Sequence, residues 1–128
     1  SPAVIYGIPG VDINNVTLRN IEIVYPGGSN PNYAYRGTKP ADLDSIPELI
    51  DSYPEFSNWK ELPAWGLYVR HASNLTLENV TFTAKEKDYR PAVVFDDVKG
   101  ATLSRMQYNV PGRGKDLIRH KSTRIIQK

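Results

Sequence analysis

The chain has 128 residues, 40% hydrophobic and 23% charged, which is the composition of a folded domain rather than a disordered tail. Sixteen Lys and Arg face fourteen Asp and Glu, and a net charge of +2 is too balanced for nucleic-acid binding to be the default reading. Cysteine is absent, which excludes disulfides, thiolate metal sites and cysteine catalysis and leaves the compartment open. No apolar stretch approaches the roughly 18 residues that a membrane-spanning helix needs. The chain opens on Ser1-Pro2 without an initiator Met or signal peptide, so the expectation is a processed product or an excised piece of a longer protein.

In chain order, the first patterned stretch is "VDINNVTLRNIEIVY" (11–25), where apolar residues alternate with Asn and Thr in the manner of short strands. The region 25–66 then breaks the pattern and is rich in Pro, Gly, Tyr and Asn. Within it "SIPELIDSY" reads as a short helix, with Ser45 as N-cap, Glu48 completing a capping box and Pro54 closing it. Tyr53, Phe56, Trp59 and Trp65 are expected to tie this excursion onto the strand wall. Long excursions of this kind also commonly shape a binding face.

Two later stretches repeat the first. "LYVRHASNLTLENVTF" (67–82) aligns on "VVFDDVKGATLSRMQY" (93–108), placing Val69 on Phe95, Ala72 on Val98, Leu75 on Ala101, Leu77 on Leu103, Val80 on Met106 and Phe82 on Tyr108. The offset is 26 throughout, and each aligned position is apolar or aromatic. The 11–25 stretch fits the same template, with Ile13 on Ala72, Val16 on Leu75, Leu18 on Leu77, Ile21 on Val80 and Ile23 on Phe82. "LIRHKSTRIIQ" (117–127) is a weaker fourth copy that repeats Arg-His and Ser at a shorter offset. Repeating short strands at such a period predict a solenoid whose coils stack to bury a shared core.

β-branched residues and the lack of a helical period make leucine-rich or ankyrin-type repeats a poor fit and point to a parallel β-helix. Asn20 and Asn79 occupy equivalent places between apolar pairs, where a left-handed bend and coil-to-coil amide bonds suit Asn; Arg105 replaces them in the next unit. Asn15, Asn74 and Asn79 head glycosylation sequons, but the repeat already accounts for their spacing. The expected fold is thus all-β: a partial parallel β-helix of about four coils across residues 1–128. A Tyr/Pro-rich insertion with a short helix, 27–64, would separate its first and second coils.

The stretches "GIPGVDINNVTLRNIEIVYPGG" (7–28), "YPEFSNWKELPAWGLYVRHASNLTLENVTF" (53–82) and "DYRPAVVFDDVKGATL" (88–103) resemble glycoside hydrolase family 28, the polygalacturonases. The similarity is to bacterial members whose C-terminal coils carry a Tyr- and Pro-rich insertion. It implies a right-handed parallel β-helix, a secreted or periplasmic location and a galacturonan-type polysaccharide as partner. In the family, inverting hydrolysis uses aspartates in Asn-Thr-Asp and Asp-Asp motifs, assisted by Gly-His-Gly and Arg-Ile-Lys motifs. Asn-Thr-Asp, Gly-His-Gly and Arg-Ile-Lys do not occur in this sequence, so the resemblance implies coils that follow the catalytic ones.

Asp96 and Asp97 form the one Asp-Asp pair, and it follows the strand-like run "AVVF", whereas the family's pair opens a strand. Neighbouring residues on a strand point to opposite faces, whereas inversion needs two carboxyls roughly 6.5–9.5 Å apart across one bond. They read as turn residues bonding backbone amides, and no catalytic residue is assigned. His71 and His120 each follow an Arg and match in the repeat, but two His without a third ligand do not make a zinc site, and no metal or cofactor is expected.

Tyr68, Arg70, His71 and Arg90 are the candidate substrate-binding residues. With Leu67 and Val69 inward, Tyr68 and Arg70 point outward, where Arg binds uronate carboxylates bidentately and Tyr offers a face to a sugar. The competing and favoured reading pairs Arg70 and Arg90 with Asp88, Asp96 or Glu78 in surface ion pairs. Three functions remain in view: a catalytically inert C-terminal fragment of a pectin hydrolase, a carbohydrate-binding or substrate-positioning module, and a structural β-helix piece. Outward aromatic and Arg residues favour the first two. No membrane partner is expected, and an uncapped first coil, open around Ile5, Ile13, Val16 and Leu18, is expected to self-associate.

Overall fold

The computed structural model describes residues 2–28, 37–50, 61–112 and 114–128. Seven strands among them form one sheet: β1 (Ala3–Tyr6), β2 (Ile13–Asn14), β3 (Thr17–Gly27), β4 (Leu67–Glu86), β5 (Val93–Asn109), β6 (Leu117–His120) and β7 (Thr123–Gln127). Every ladder is parallel: β1, β2 and β3 lie along β4, β4 along β5, and β6 and β7 along β5. One short helix, α1 (Pro40–Asp44), is the only α-helix among the described residues, and the sheet does not close into a barrel there. The protein is mostly β.

The register follows the sequence repeat. β4 pairs with β5 at Val69–Phe95, Ala72–Val98, Leu75–Ala101, Leu77–Leu103, Val80–Met106 and Phe82–Tyr108. Ile13 meets Ala72, Leu18 meets Leu77, Ile21 meets Val80 and Ile23 meets Phe82. A slip of one residue would turn the apolar set outward, so the buried face fixes this register.

The inward residues of β4 are Leu67, Val69, Ala72, Leu75, Leu77, Val80, Phe82 and Ala84, all of them buried. Their spacing is two except where it is three, and each gap of three contains one residue in the left-handed region: His71 (φ 54°), Asn74 (φ 56°) and Asn79 (φ 53°). A left-handed residue bends the strand and shifts the two-residue alternation by one, so the same face stays inward after each bend. The bends align between passes of the chain. Asp97 (φ 56°) and Lys121 (φ 52°) follow His71, Asn15, Gly100 and Arg124 match Asn74, and Asn20 and Arg105 flank Asn79. Asn79 Nδ2 donates to Asn20 Oδ1 at 2.8 Å, the expected amide ladder, and Asn74 Nδ2 donates to Asn14 Oδ1 at 3.2 Å in a second one that the sequence reading did not find.

Phe82 stacks on Tyr108 (ring centroids 6.3 Å apart, planes at 12°), while Trp65 meets Tyr25 edge-on at 5.8 Å within the same inner core. Trp65 is therefore an inner core residue rather than an anchor for the excursion; Tyr53, Phe56 and Trp59 lie outside the described residues. Gly66 lets the chain pass close to its neighbours, since a Cβ there would meet the Ala92 carbonyl oxygen at 2.8 Å and the Phe82 ring at 3.3 Å.

The helix expected over Ser45–Tyr53 is replaced by an earlier one. α1 begins with Pro40 in its first turn, where the missing N–H costs nothing, and Asp42 accepts the Lys39 N–H at 3.2 Å. Ser45 closes this helix instead of opening one, its Oγ donating to the Asp42 carbonyl at 2.6 Å. Ile46 precedes Pro47, which disfavours helical backbone, and Leu49 turns left-handed at φ 55°. The rest of the proposed helix, 51–53, lies outside the described residues.

Candidate functional site

Four strands carry two rows of outward side chains. β1, β4, β5 and β6 align Val4, Tyr68, Val94 and Ile118 in one row and Tyr6, Arg70, Asp96 and His120 in another, two residues further along. The first row is apolar and lies under Leu43, Ile46, Leu62 and Ala64 of the inserted segment, forming a second core outside the sheet. Tyr68 and Arg70 do point outward, as alternation predicts, but the insert covers them: Tyr68 is 0% and Arg70 5% exposed. No face of Tyr68 is open to a sugar, and the Arg70 side chain is turned into the insert.

The second row is a polar clamp on the insert. Arg70 Nη1 donates to the Ile46 carbonyl at 2.7 Å and to the Tyr6 hydroxyl at 3.2 Å, and its Nε lies 3.3 Å from Asp96 Oδ2. The Tyr68 hydroxyl donates to the same Asp96 oxygen at 3.3 Å, and the Tyr6 hydroxyl donates to the Pro47 carbonyl. Burial raises the Asp96 carboxyl above its ordinary value against the opposing pull of Arg70 and His120. Burial also works against the Arg70 charge, but Tyr68, Asp96, Tyr6 and Glu48 together hold it above its ordinary value. His120 Nε2 and Lys121 Nζ reach Asp44 Oδ1 at 2.8 and 2.9 Å and fix the end of α1.

His71 stands one residue further on, at the first bend. Its Nδ1 is 2.6 Å from Asp97 Oδ2 and its Nε2 is 2.9 Å from Glu48 Oε1, so the ring bridges a carboxylate of the sheet and one of the insert. His71 aligns with Asp97 and Lys121, whereas Arg70 aligns with Asp96 and His120. The two His are thus one residue out of register, which corrects their matching in the sequence: the short last repeat shifts the frame. Asp96 and Asp97 are not turn residues on backbone amides either. Both lie within β5, only Asp97 is left-handed, and their carboxylates bond the side chains of Tyr68, Arg70 and His71.

Asp12, His71 and Asp97 place potential metal-ligand atoms within 4.8 Å of one another. Lys99 Nζ already lies 3.1 Å from Asp12 and 3.7 Å from Asp97, and the Ser73 hydroxyl donates to Asp12 at 2.5 Å. The Ser73 bond, then the Lys99 ammonium, hold the Asp12 carboxyl below its ordinary value. A lysine that supplies the positive charge makes this a charge network; Asp12 Oδ1, buried with no hydrogen-bond partner among the described residues, is the feature that leans toward a metal.

Arg90 is separate from this network. Its Nε and Nη2 bind the two oxygens of Asp88 at 3.0 Å each, and its Nη1 lies 3.8 Å from Glu61. The ion-pair expectation holds for Arg70–Asp96 and Arg90–Asp88, but these pairs are buried rather than at the surface, and Glu78 binds Arg19 and Arg105 instead. Arg90 also lines a cavity of about 300 Å³ together with Thr38, Pro63, Tyr89, Pro91 and Lys115. These residues come from four segments, one leading into α1 and three leading into β4, β5 and β6, where Pro63 and Tyr89, and Pro91 and Lys115, keep the offsets of the strand registers. Searches of family models, characterised proteins and solved structures gave no match to the chain.

Proposed function

We propose that the chain forms coils of a right-handed parallel β-helix belonging to a bacterial, secreted or periplasmic pectin-degrading hydrolase, similar to the polygalacturonases of glycoside hydrolase family 28, and that these coils carry no catalysis of their own. The three aligned columns of left-handed bends support the β-helix, because a strand that keeps one face inward through successive bends wraps around that face. The sequence resemblance supports the hydrolase. The observation that carries the non-catalytic role is the state of the Asp-Asp pair. Asp96 is 2% exposed behind Arg70 and Tyr68, and Asp97 is held by His71, so the two do not face one substrate bond.

The test is incubation of the purified chain with polygalacturonate. No reducing sugar should be released; release that co-purifies with the chain and disappears in Asp96→Asn or Asp97→Asn would overturn the reading. A non-catalytic carbohydrate-binding module is the second reading, favoured by the cavity beside Arg90. Self-association through the β1–β3 edge is part of the proposal. Among the described strands these pair only with β4, and Ile13 is 40% exposed there.

A further inference from the structure

We propose that His71 is a proton-operated latch: as an imidazolium it holds residues 46–49 of the inserted segment on the sheet, and as a neutral ring it lets them loosen. His71 sits at the first left-handed bend of β4 (φ 54°), and its side chain is 9% exposed between the sheet and the insert. Its Nδ1 lies 2.6 Å from Asp97 Oδ2 on β5, and its Nε2 lies 2.9 and 3.0 Å from the two oxygens of Glu48 on the insert. A carboxylate only accepts hydrogen bonds, and a neutral imidazole has one N–H and one lone pair. A neutral ring therefore turns its lone pair on one of the two carboxylates, and so buried a ring has little water to relieve it. The bridge is complete only with a second proton.

The surrounding charges favour that proton. Asp12, Glu48, Asp96 and Asp97 lie around the ring, against Arg70 and Lys99. Arg70 is shared between Glu48 at 3.5 Å and Asp96 at 3.3 Å, and Lys99 between Asp12 at 3.1 Å and Asp97 at 3.7 Å. Carboxylates thus outnumber permanent cations there among the described residues, and a positive ring reduces the excess. Tyr6, edge-on to the ring at 6.5 Å, adds no charge. His120 differs from His71, because its one printed bond, Nε2 to Asp44 beside Lys121, is served by the single N–H of a neutral ring and survives deprotonation. Docking through His71 takes up a proton. Its contribution is therefore present at acidic pH and lost as pH rises through the range where histidine titrates, roughly 6–7.

Hydrogen exchange of the full chain at about pH 5.5 and 7.5, corrected for intrinsic rates, tests the latch; both values lie above the ordinary carboxylate range. The amides of Ser45 and Ile46, bonded to the Ala41 and Leu43 carbonyls, report the insert, because so short a helix is protected only while docked. Those of the buried Leu77 and Leu103 report the sheet. Protection of the insert amides should fall about tenfold from the lower pH to the higher, with the sheet amides unchanged. Glu48→Gln offers the neutral ring an N–H to accept, so it should keep the insert protected at both values and flatten the dependence. His71→Gln, neutral throughout, should also flatten it, at the low protection of the higher pH. Equal protection at both values in the unmodified chain, protection that rises with pH, or a dependence that survives in Glu48→Gln would each overturn the latch. The last would make Asp96, raised by burial, or His120 the titrating group. Loss of sheet protection in His71→Gln would mean that this variant does not fold, and Glu48→Gln then decides alone.

Discussion

Along β4, Leu67, Val69 and Leu77 face a core built from the strands and the residues that flank them, such as Trp65 and Ala92, whereas Tyr68 and Arg70 on the same strand face the inserted segment. On the inner face the ladder sets equivalent positions of successive passes on one another, such as Val69 on Phe95. The outer face adds contacts between non-equivalent partners: Tyr68 packs with Leu43 and Ile46, and Arg70 bonds the Ile46 carbonyl. The inner face is stabilised by area alone, which is tolerant of partner and strict about volume. The outer face adds a buried ion pair and carbonyl bonds, which are strict about geometry and costly when one member is lost.

The largest expected effect comes from the inner face. Phe82 is 0% exposed and stacks on Tyr108, and Gly66 already lies against its ring. Phe82→Ala should cost about 4 kcal/mol in denaturant unfolding, the transfer loss plus the cavity left behind. A loss under about 1 kcal/mol would show that this ring is not enclosed by the stacked strands.

A smaller, pH-dependent loss is expected on the outer face. Arg70→Met leaves the Asp96 carboxylate buried beside the Tyr68 hydroxyl without its cation and should cost about 3 kcal/mol at neutral pH. Asp96 is raised above 3.8 by burial even in the intact protein, so its ionised form is a cost that exists above the folded value and is relieved as pH falls toward 3.8. Removing Arg70 takes away an interaction that lowers this value and therefore enlarges the cost. The deficit of Arg70→Met should accordingly narrow on acidification from pH 7 to about pH 4. Asp96→Asn should cost less, since Arg70 keeps the Ile46 carbonyl and the Tyr6 hydroxyl. A deficit that does not change with pH would mean that Asp96 is already neutral at pH 7.

Periodicity explains which parts were legible. The β4–β5 register and the Asn20–Asn79 ladder could be read because every member recurs at a fixed offset. The frame slipped at His120, because the last pass is shorter: Val93 pairs with Leu117. The clamp around Arg70 was only half visible. Its outward direction and the Asp96 partner followed from alternation and charge, but Tyr6, Ile46 and Glu48 belong to parts of the chain with no repeat to place them. The capping pattern of Ser45–Tyr53 predicts a helix that Pro47 and the left-handed Leu49 prevent, a local backbone effect that no repeat reports.

The smallest effect concerns the bends, where the two faces meet. In the column of Asn20 and Asn79 the third member is Arg105, left-handed at φ 51° and without an amide to continue the ladder. A left-handed non-glycine residue costs roughly 1–2 kcal/mol, less for Asn, whose short side chain bonds locally. Arg105 gains an ion pair with Glu78 at 2.8 Å, but its side chain is 67% exposed, and such pairs stabilise weakly and are screened by salt. Arg105→Asn removes the weak pair, lowers the backbone cost and places a third amide beside Asn79. It should therefore stabilise the chain by about 0.5 kcal/mol, more clearly at high salt, where the lost pair contributes least. Denaturant midpoints at two salt concentrations measure this directly. A destabilised variant that worsens as salt rises would mean that Arg105 supports the bend through its side-chain packing rather than through its charge.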